Sequence, residues 1–448
     1  MNWVHKTISS YLISYLMILC CGNIYGQKAV LSSRWFHPID KTDTLNTLEV
    51  LRILKPERID WTYCDNLQVF KQYQKLGVRY SLAMNPQIPD SSNATTTKYR
   101  IQTIAGKPYV ASWMKDWNIP NPYWGCVNNP FFKKLFLKRA IQLIDLKGYG
   151  IFVDDALFNV QLEKEKHDLI GCVCSYCLNG FCNYINKDGV KTKLSSNEIL
   201  EHFKNYTNEE DDEKLVLSYK EYQRVSVVQF LKKWKLDIKH HNENIKILTN
   251  NYRGEWNDIY SIFDGGIAEI KESDLSYTKL DSLFEASLKK GKSQLLTLVS
   301  ADERAQNYLL AYLILKKKDY LIPWDQFVPG SGRNNRYFVD VNKFGDFVKF
   351  LKKKNTIIQF SKSVAVFSKN IKMQWYTITY DKKNNINYVT LHKNHDYRPS
   401  IKKELILIII VFLIFGLFVF YYRLFALNLL IIDCALKNLN NLFKKNAL

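Results

Sequence analysis

The sequence predicts an α/β fold: a (β/α)8 TIM barrel, then a short β-rich segment and a C-terminal transmembrane helix. Three observations predict it. Eight short β-rich runs lie between residues 29 and 324, with amphipathic stretches between most of them. Strand-then-helix repetition over about 300 residues is the pattern of such a barrel. No glycine-rich phosphate turn follows the first run, which weakens the alternative of a doubly wound open sheet. Finally, an uncharged apolar run covers 405–422, close to the roughly 20 residues that cross a hydrocarbon core.

The candidate strands are 29–36, 58–63, 78–84, 150–154, 246–250, 265–269, 294–299 and 320–324. The candidate helices are 44–54, 66–76, 130–146, 221–239, 276–289 and 302–315, where apolar residues recur at helical spacing. The barrel is assigned to 27–351. A β-rich segment, 352–400, holds alternating runs at 364–367, 375–380 and 388–392. It is about half the length of a complete sandwich of roughly 100 residues.

The two ends suggest where the protein works. An apolar stretch from Ile8 to Cys21 precedes Asn23-Ile24-Tyr25-Gly26, so 1–26 reads as a secretory signal peptide. A retained N-terminal anchor is the alternative. Lys402 and Lys403 precede the second apolar run, and Tyr421, Tyr422 and Arg423 close it, in the manner of interfacial anchors. The reading is a membrane helix at 401–423, with a basic amphipathic tail, 424–448, inside and the barrel outside, in the periplasm or at the cell surface. A shifted reading frame is another source of such a run.

Hydrophobic residues make up 47% of the chain, enough to fill a core and to exclude wholesale disorder. The formal net charge is +20, but the basic residues are scattered, with short runs such as Lys316-Lys317-Lys318. Nucleic acid binding calls for clustering on one face or arm, so no nucleic-acid partner is expected. A solvated surface accounts for the excess; attraction to an acidic polysaccharide or an anionic membrane is the other reading.

In a barrel, chemistry sits at the C-terminal ends of the strands. Those ends carry Trp35 and His37, then Trp61 and Tyr63, Asn85, Asp154-Asp155, Asn250 with Arg253 beyond, Glu269, and Trp324-Asp325. Aromatic faces stack on sugar rings, while amides and carboxylates match hydroxyls. Glycosidic cleavage typically needs two carboxyl groups, one as acid and one as base or nucleophile. Asp155 is the expected acid, tuned by Asp154, and Glu269 is the expected partner. Trp35, Trp61, Tyr63 and Trp324 are expected to stack the sugar. Asn85, Asn250 and Arg253 are expected to hold hydroxyls or an acidic substituent of an oligo- or polysaccharide. Each strand-end carboxylate also has a plainer reading, as a helix cap or an ion-pair partner.

Cys126 and the run Cys172-Val173-Cys174-Ser175-Tyr176-Cys177 form the sharpest local signal. Three thiols on one loop, joined by a distant fourth, can make a closed four-thiolate zinc site. Disulfides are the alternative in an exported protein. Either would tie the loop after the third strand to the loop after the fourth. Four protein ligands leave no open position, so a zinc ion here is structural and no organic cofactor is expected.

The stretch Gly125-Cys126-Val127-Asn128-Asn129-Pro130, the strand ending at Asp154-Asp155, and the cysteine run resemble the zinc-bearing region of family-42 β-galactosidases. They are more similar still to uncharacterised barrel proteins grouped as hypothetical glycoside hydrolases, as are Ala268-Glu269 and Ile322-Pro323-Trp324-Asp325. The resemblance implies a glycosidase barrel with Asp155 at the acid/base position and Asp154 at the supporting amide. It breaks at the seventh strand, which ends in Val299-Ser300 where those enzymes carry the nucleophilic glutamate. A moved carboxylate, an inverting enzyme and a non-catalytic glycan-binding barrel all remain open at this point.

Overall fold

The computed structural model describes residues 28–32, 47–64, 66–87, 99–115, 122–164, 170–187, 194–206, 210–299 and 303–323, and four strands between 356 and 393. The chain divides into two compact units, Met1–His392 and Lys393–Leu448. Everything below belongs to the first, save the last residue of the final strand.

Eight strands build one parallel sheet. They are β1 (Ala29–Ser32), β2 (Arg58–Thr62), β3 (Arg79–Met84), β4 (Gly150–Val153), β5 (Lys246–Asn250), β6 (Gly265–Ile270), β7 (Ser293–Leu298) and β8 (Tyr320–Pro323). The ladder runs β7-β6-β5-β4-β3-β2-β1-β8. β8 comes back to pair with β1, Tyr320 opposite Ala29, so the sheet curls into a nearly closed barrel as expected.

Both faces of the strands are covered, and side chains alternate between them. Ile59, Leu82, Ile151, Ile247 and Leu296 join the layer between the barrel and its helices. Val30, Ala83, Phe152, Leu248, Ile267 and Leu295 fill the interior. Lower in the barrel, fully buried Asp60 accepts hydrogen bonds from Arg58 Nε, Ser81 Oγ and Tyr149 Oη, all at 2.9 Å. This buried charge is both paired and hydrogen-bonded, the condition for tolerating it.

The helices of eight residues or more are α1 (Thr47–Leu54), α2 (Leu67–Lys75), α3 (Pro130–Asp145), α4 (Ser175–Lys187), α5 (Ser196–Lys204), α6 (Glu210–His241), α7 (Tyr277–Lys289) and α8 (Glu303–Leu315). α3 shows how sequence sets an element. The Asn129 side chain caps Phe131 N at 2.9 Å, and Pro130 occupies the first turn, where its missing N–H costs nothing. Phe132, Phe136, Ala140, Leu143 and Ile144 then form its buried stripe, each large side chain contributing about 1.5–3 kcal/mol. α6 starts at Glu210, well before the expected residue 221. Its first turn, Glu210-Asp211-Asp212-Glu213, is charged and hides the periodicity. Val216, Tyr219 and Tyr222 dock it onto a second core.

That second core lies outside the barrel layers. It gathers Trp124, Cys126, Cys172, Phe181, Phe203 and Tyr219 from the loops after β3 and β4 and from α4 to α6. Gly125 sits at its junction with α3. A Cβ there would lie 1.9 Å from two ring atoms of Phe132. Phe132 is wholly buried and packed against Phe136, Phe158 and Phe230, so the ring has nowhere to go. Gly125→Ala is expected to destabilise the protein by about 1–3 kcal/mol, as overpacking does; an unchanged urea midpoint would contradict it.

Beyond the barrel, β9 (Thr356–Phe360), β10 (Val364–Ile371), β11 (Gln374–Asp381) and β12 (Ile386–Lys393) form a four-stranded sheet in the order β12-β11-β10-β9. The last three were expected; β9 adds a fourth. No helix among the described residues is long and apolar enough to cross a membrane. The apolar run at 405–422, the tail after it and the signal peptide expected at 1–26 lie outside the described residues.

Candidate active site

The upper layer of the barrel follows from the period of two. Phe152, Leu248 and Ile267 face inward, so Asp154, Asn250 and Glu269, two positions on, share that face at the C-terminal rim. All three are half-buried. β2 reaches the same layer by a different route. Its register against β3 shifts between Ile59 and Thr62, and Trp61 adopts a left-handed backbone with φ 67°. Such bulges re-aim side chains and recur beside active sites. Here the bulge lays the Trp61 ring on Phe152, centroids 4.7 Å apart and 24° between planes.

The polar groups then converge. Asp154 Oδ2 accepts from Trp61 Nε1 at 3.1 Å and from Tyr63 Oη at 2.9 Å. Its Oδ1 accepts from the Asp155 backbone N–H at 3.0 Å and from Asn250 Nδ2 at 3.4 Å. The same Asn250 nitrogen donates to Glu269 Oε2 at 3.2 Å. Asn250 is itself held by Tyr252 N–H, which donates to its Oδ1 at 2.9 Å. One amide therefore joins the two carboxylates.

Asp155 takes a left-handed backbone, φ 53°, and its charge is felt at Tyr260. Burial, and then the charges of Glu255, Asp155 and Asp154, push the Tyr260 hydroxyl far above its ordinary value. Tyr260 was not anticipated; it lies on a 3-10 turn in the long loop between β5 and β6, where no periodicity marks it. Tyr252 was missed too. It is exposed at the rim, and Arg253 lies over its ring at 5.7 Å. Its signal was its place in the loop that opens with Asn250.

Not every expected residue joins the set. Asn85 is occupied in its own turn: its Nδ2 donates to Gln87 Oε1 and its Oδ1 accepts from Gln87 N–H, both at 3.0 Å. Trp35, His37, Trp324 and Asp325 lie outside the described residues.

The cysteine cluster forms as expected from both loops. The sulfurs of Cys126, Cys172, Cys174 and Cys177 lie within 4.8 Å of one another, and all four residues are buried. Cys126 and Cys177 are 3.3 Å apart and Cys126 and Cys174 3.6 Å, beyond the roughly 2.05 Å of a disulfide, and none of the described cysteines is joined in a disulfide. Four thiolates around a tetrahedral ion with bonds of about 2.3 Å sit about 3.8 Å apart, so the donor set fits zinc. Backbone and side-chain amides surround the sulfurs. Gln102 N–H donates to Cys172 and Asn128 N–H to Cys126, each at 3.4 Å; Asn128 Nδ2 donates to Cys177 at 3.3 Å. Burial raises the Cys126 thiol, but hydrogen bonds from Cys172, Cys174, Cys177 and Asn159 override it and bring the group well below its ordinary value. Burial, then the bond with Cys126, drives Cys172 well up.

No family model matches the sequence, and no curated protein does. The resemblance to family-42 β-galactosidases therefore has no matching family model behind it. Among solved structures, the chain is similar to the glycoside hydrolase domain of PelA from Pseudomonas aeruginosa, at 12% identity and a TM-score of 0.38, covering 66% of this chain and 96% of that one. It is similar to the β-galactosidase of the Antarctic haloarchaeon Halorubrum lacusprofundi, at 10% identity and a TM-score of 0.46, covering 66% and 52%. It is also similar to α-L-fucosidase isoenzyme 2 from Paenibacillus thiaminolyticus, at 13% identity and a TM-score of 0.46, covering 74% and 51%. The matched part spans about half the length of those last two enzymes.

Proposed function

We propose that the protein is a glycoside hydrolase whose working carboxylates are Asp154 and Glu269, acting on an oligo- or polysaccharide at the C-terminal rim. The observation that carries this is the single Asn250 nitrogen that donates to both. Two carboxylates sharing one donor favour the short separation of retaining enzymes, about 5–5.5 Å, over the roughly 6.5–9.5 Å of inverting ones. Asp154 gathers donors from Trp61, Tyr63, Asn250 and its own neighbour's backbone, surroundings that suit a carboxylate working as an anion. It is assigned as nucleophile. Glu269 then protonates the departing oxygen and afterwards takes the proton of the incoming water. Asp155 is left to shape the turn, with its left-handed backbone. Tyr252 is placed to stack a sugar, and Arg253 to meet an acidic substituent.

In the same reading, Cys126, Cys172, Cys174 and Cys177 hold a zinc ion. Bound there, it supplies charge neutralisation and a cross-link between two loops; with four protein ligands it takes no part in bond cleavage. The protein is placed outside the cytoplasm on the reading of its first 26 residues, and tethered to a membrane on that of its apolar 405–422 run.

The test is a screen of neutral and acidic oligosaccharides for turnover, followed by an activated 2-fluoro glycoside of the best substrate. A retaining enzyme traps that reagent covalently, and peptide mass mapping is expected to place it on Asp154. Label on another carboxylate would reassign the nucleophile. No turnover on any glycan, with binding retained, would leave a lectin-like barrel instead.

A further inference from the structure

The Asp154–Asp155 turn does not end at the rim. It runs through Ala156 and Leu157 into the 3-10 turn Phe158–Val160, held by Phe158 N–H to Asp155 O at 3.4 Å and Val160 N–H to Leu157 O at 2.9 Å. At its start, Asp154 N–H donates to Met84 O of β3 at 2.9 Å. At its far end stands Asn159, with no exposed surface. Its Nδ2 donates to Cys126 Sγ at 3.3 Å, to Cys177 Sγ at 3.5 Å and to Gln223 Oε1 of α6 at 2.9 Å. Its Oδ1 accepts from Val127 N–H at 3.1 Å. So a single buried amide ties the loop that carries Asp154 to two of the four sulfurs, to the loop after β3 and to α6.

We propose that Asn159 is a positioning residue that couples metal loading of the four-thiol cluster to order in the Asp154–Val160 turn. The physical reason is the acceptor. A neutral thiol is a weak hydrogen-bond acceptor, whereas a metal-bound thiolate is charged, and charge-assisted bonds are roughly twice as strong. Loading the cluster therefore tightens the grip of its sulfurs on Asn159, and Asn159 passes that grip along five residues of hydrogen-bonded turn to the carboxylate. Gln223 keeps the amide aimed: its Oε1 accepts from Asn159 while its Nε2 donates to Cys172 O at 3.2 Å.

This rests on the zinc reading and makes no use of the sugar chemistry. The experiment is amide hydrogen exchange by mass spectrometry on the full-length protein, apo and loaded with zinc, with metal content measured in parallel. In the wild type, zinc is expected to slow exchange across 154–160 by about 10–100-fold, the scale on which groups behind metal ligands act. In Asn159→Leu, which keeps the volume and removes both hydrogen-bonding ends, that gain is expected to vanish while 172–178 still gains protection. Asn159→Asp, which keeps the acceptor for Val127 N–H, is expected to do the same and serves if the leucine variant does not fold. Cobalt gives a second readout: losing an N–H donor to the sulfurs should move the thiolate-to-cobalt charge-transfer band to lower energy. If 154–160 gains no protection when the wild type is loaded, or both variants keep the gain, the coupling is wrong even where zinc binding stands. If the wild type takes up no metal, the zinc reading falls with it, while the proposed carboxylate chemistry is judged separately by the covalent label.

Discussion

Asp154→Asn is expected to lower kcat/KM for glycoside cleavage on the order of 10⁴-fold, the scale on which removal of a nucleophile acts. The substitution is close in shape, but both Asp154 oxygens accept, from Trp61 and Tyr63 on one side and from Asp155 N–H and Asn250 on the other, so the new NH2 meets donors whichever way it turns, and some stability, about 1–3 kcal/mol, should be lost along with the activity. What disappears is the anionic oxygen proposed to attack the anomeric carbon. The contrast with Asp155→Asn makes the assignment sharp. Asp155 follows Asp154 by one residue and takes the left-handed backbone of the turn, so its variant is expected to retain activity within about tenfold. The reverse outcome, an idle Asp155→Asn beside a working Asp154→Asn, would return the central role to the residue that the family resemblance points to.

Cys177→Ser is expected to have the largest effect on stability. Cys177 Sγ lies against Cys126 and accepts from Asn128 and Asn159. On the proposed zinc reading, removing it takes one ligand from the cluster and weakens the hold of the remaining buried sulfurs on their cation. Binding energy at such a site is folding energy, and the loss should lower the melting temperature by roughly 5–10 °C. The measurement is a thermal melt with and without a strong chelator. Chelation should lower the melting temperature of the wild type toward that of the variant and leave the variant unmoved. A wild type indifferent to the chelator would remove metal from the account of this second core.

The strands were legible because each is short and rich in strand-forming residues and most are followed by a helical stripe; 246–250, which is not, was still read to the residue and observed as Lys246–Asn250. The cysteine cluster was legible because its spacing is chemical rather than conformational. The choice between Asp154 and Asp155 was not. β4 reads Gly150-Ile151-Phe152-Val153 and is buried on both faces, so its apolar alternation does not say which face is the barrel interior. Only Phe152 packing inside fixes the parity and sends Asp154 to the rim. Trp61 was picked out as an aromatic, but not as a residue with reversed backbone handedness, because a bulge breaks the alternation on which strand reading depends. Asn159 lacked a signal altogether: a lone amide in a loop gains meaning only from four neighbours brought there by distant segments.

The bulge at Trp61 also constrains how the protein can change. A left-handed backbone costs a bulky residue roughly 1–2 kcal/mol, a cost that glycine would escape. Glycine at position 61 would relieve that backbone but would also empty the space of an indole that is only 1% exposed and lies on Phe152, and removing a buried tryptophan costs about 3–5 kcal/mol. The relief is the smaller of the two effects. A search for hardier versions of this chain guided by backbone angles alone would therefore be misled at position 61, and selection for heat tolerance should keep the reversed handedness together with the ring it serves.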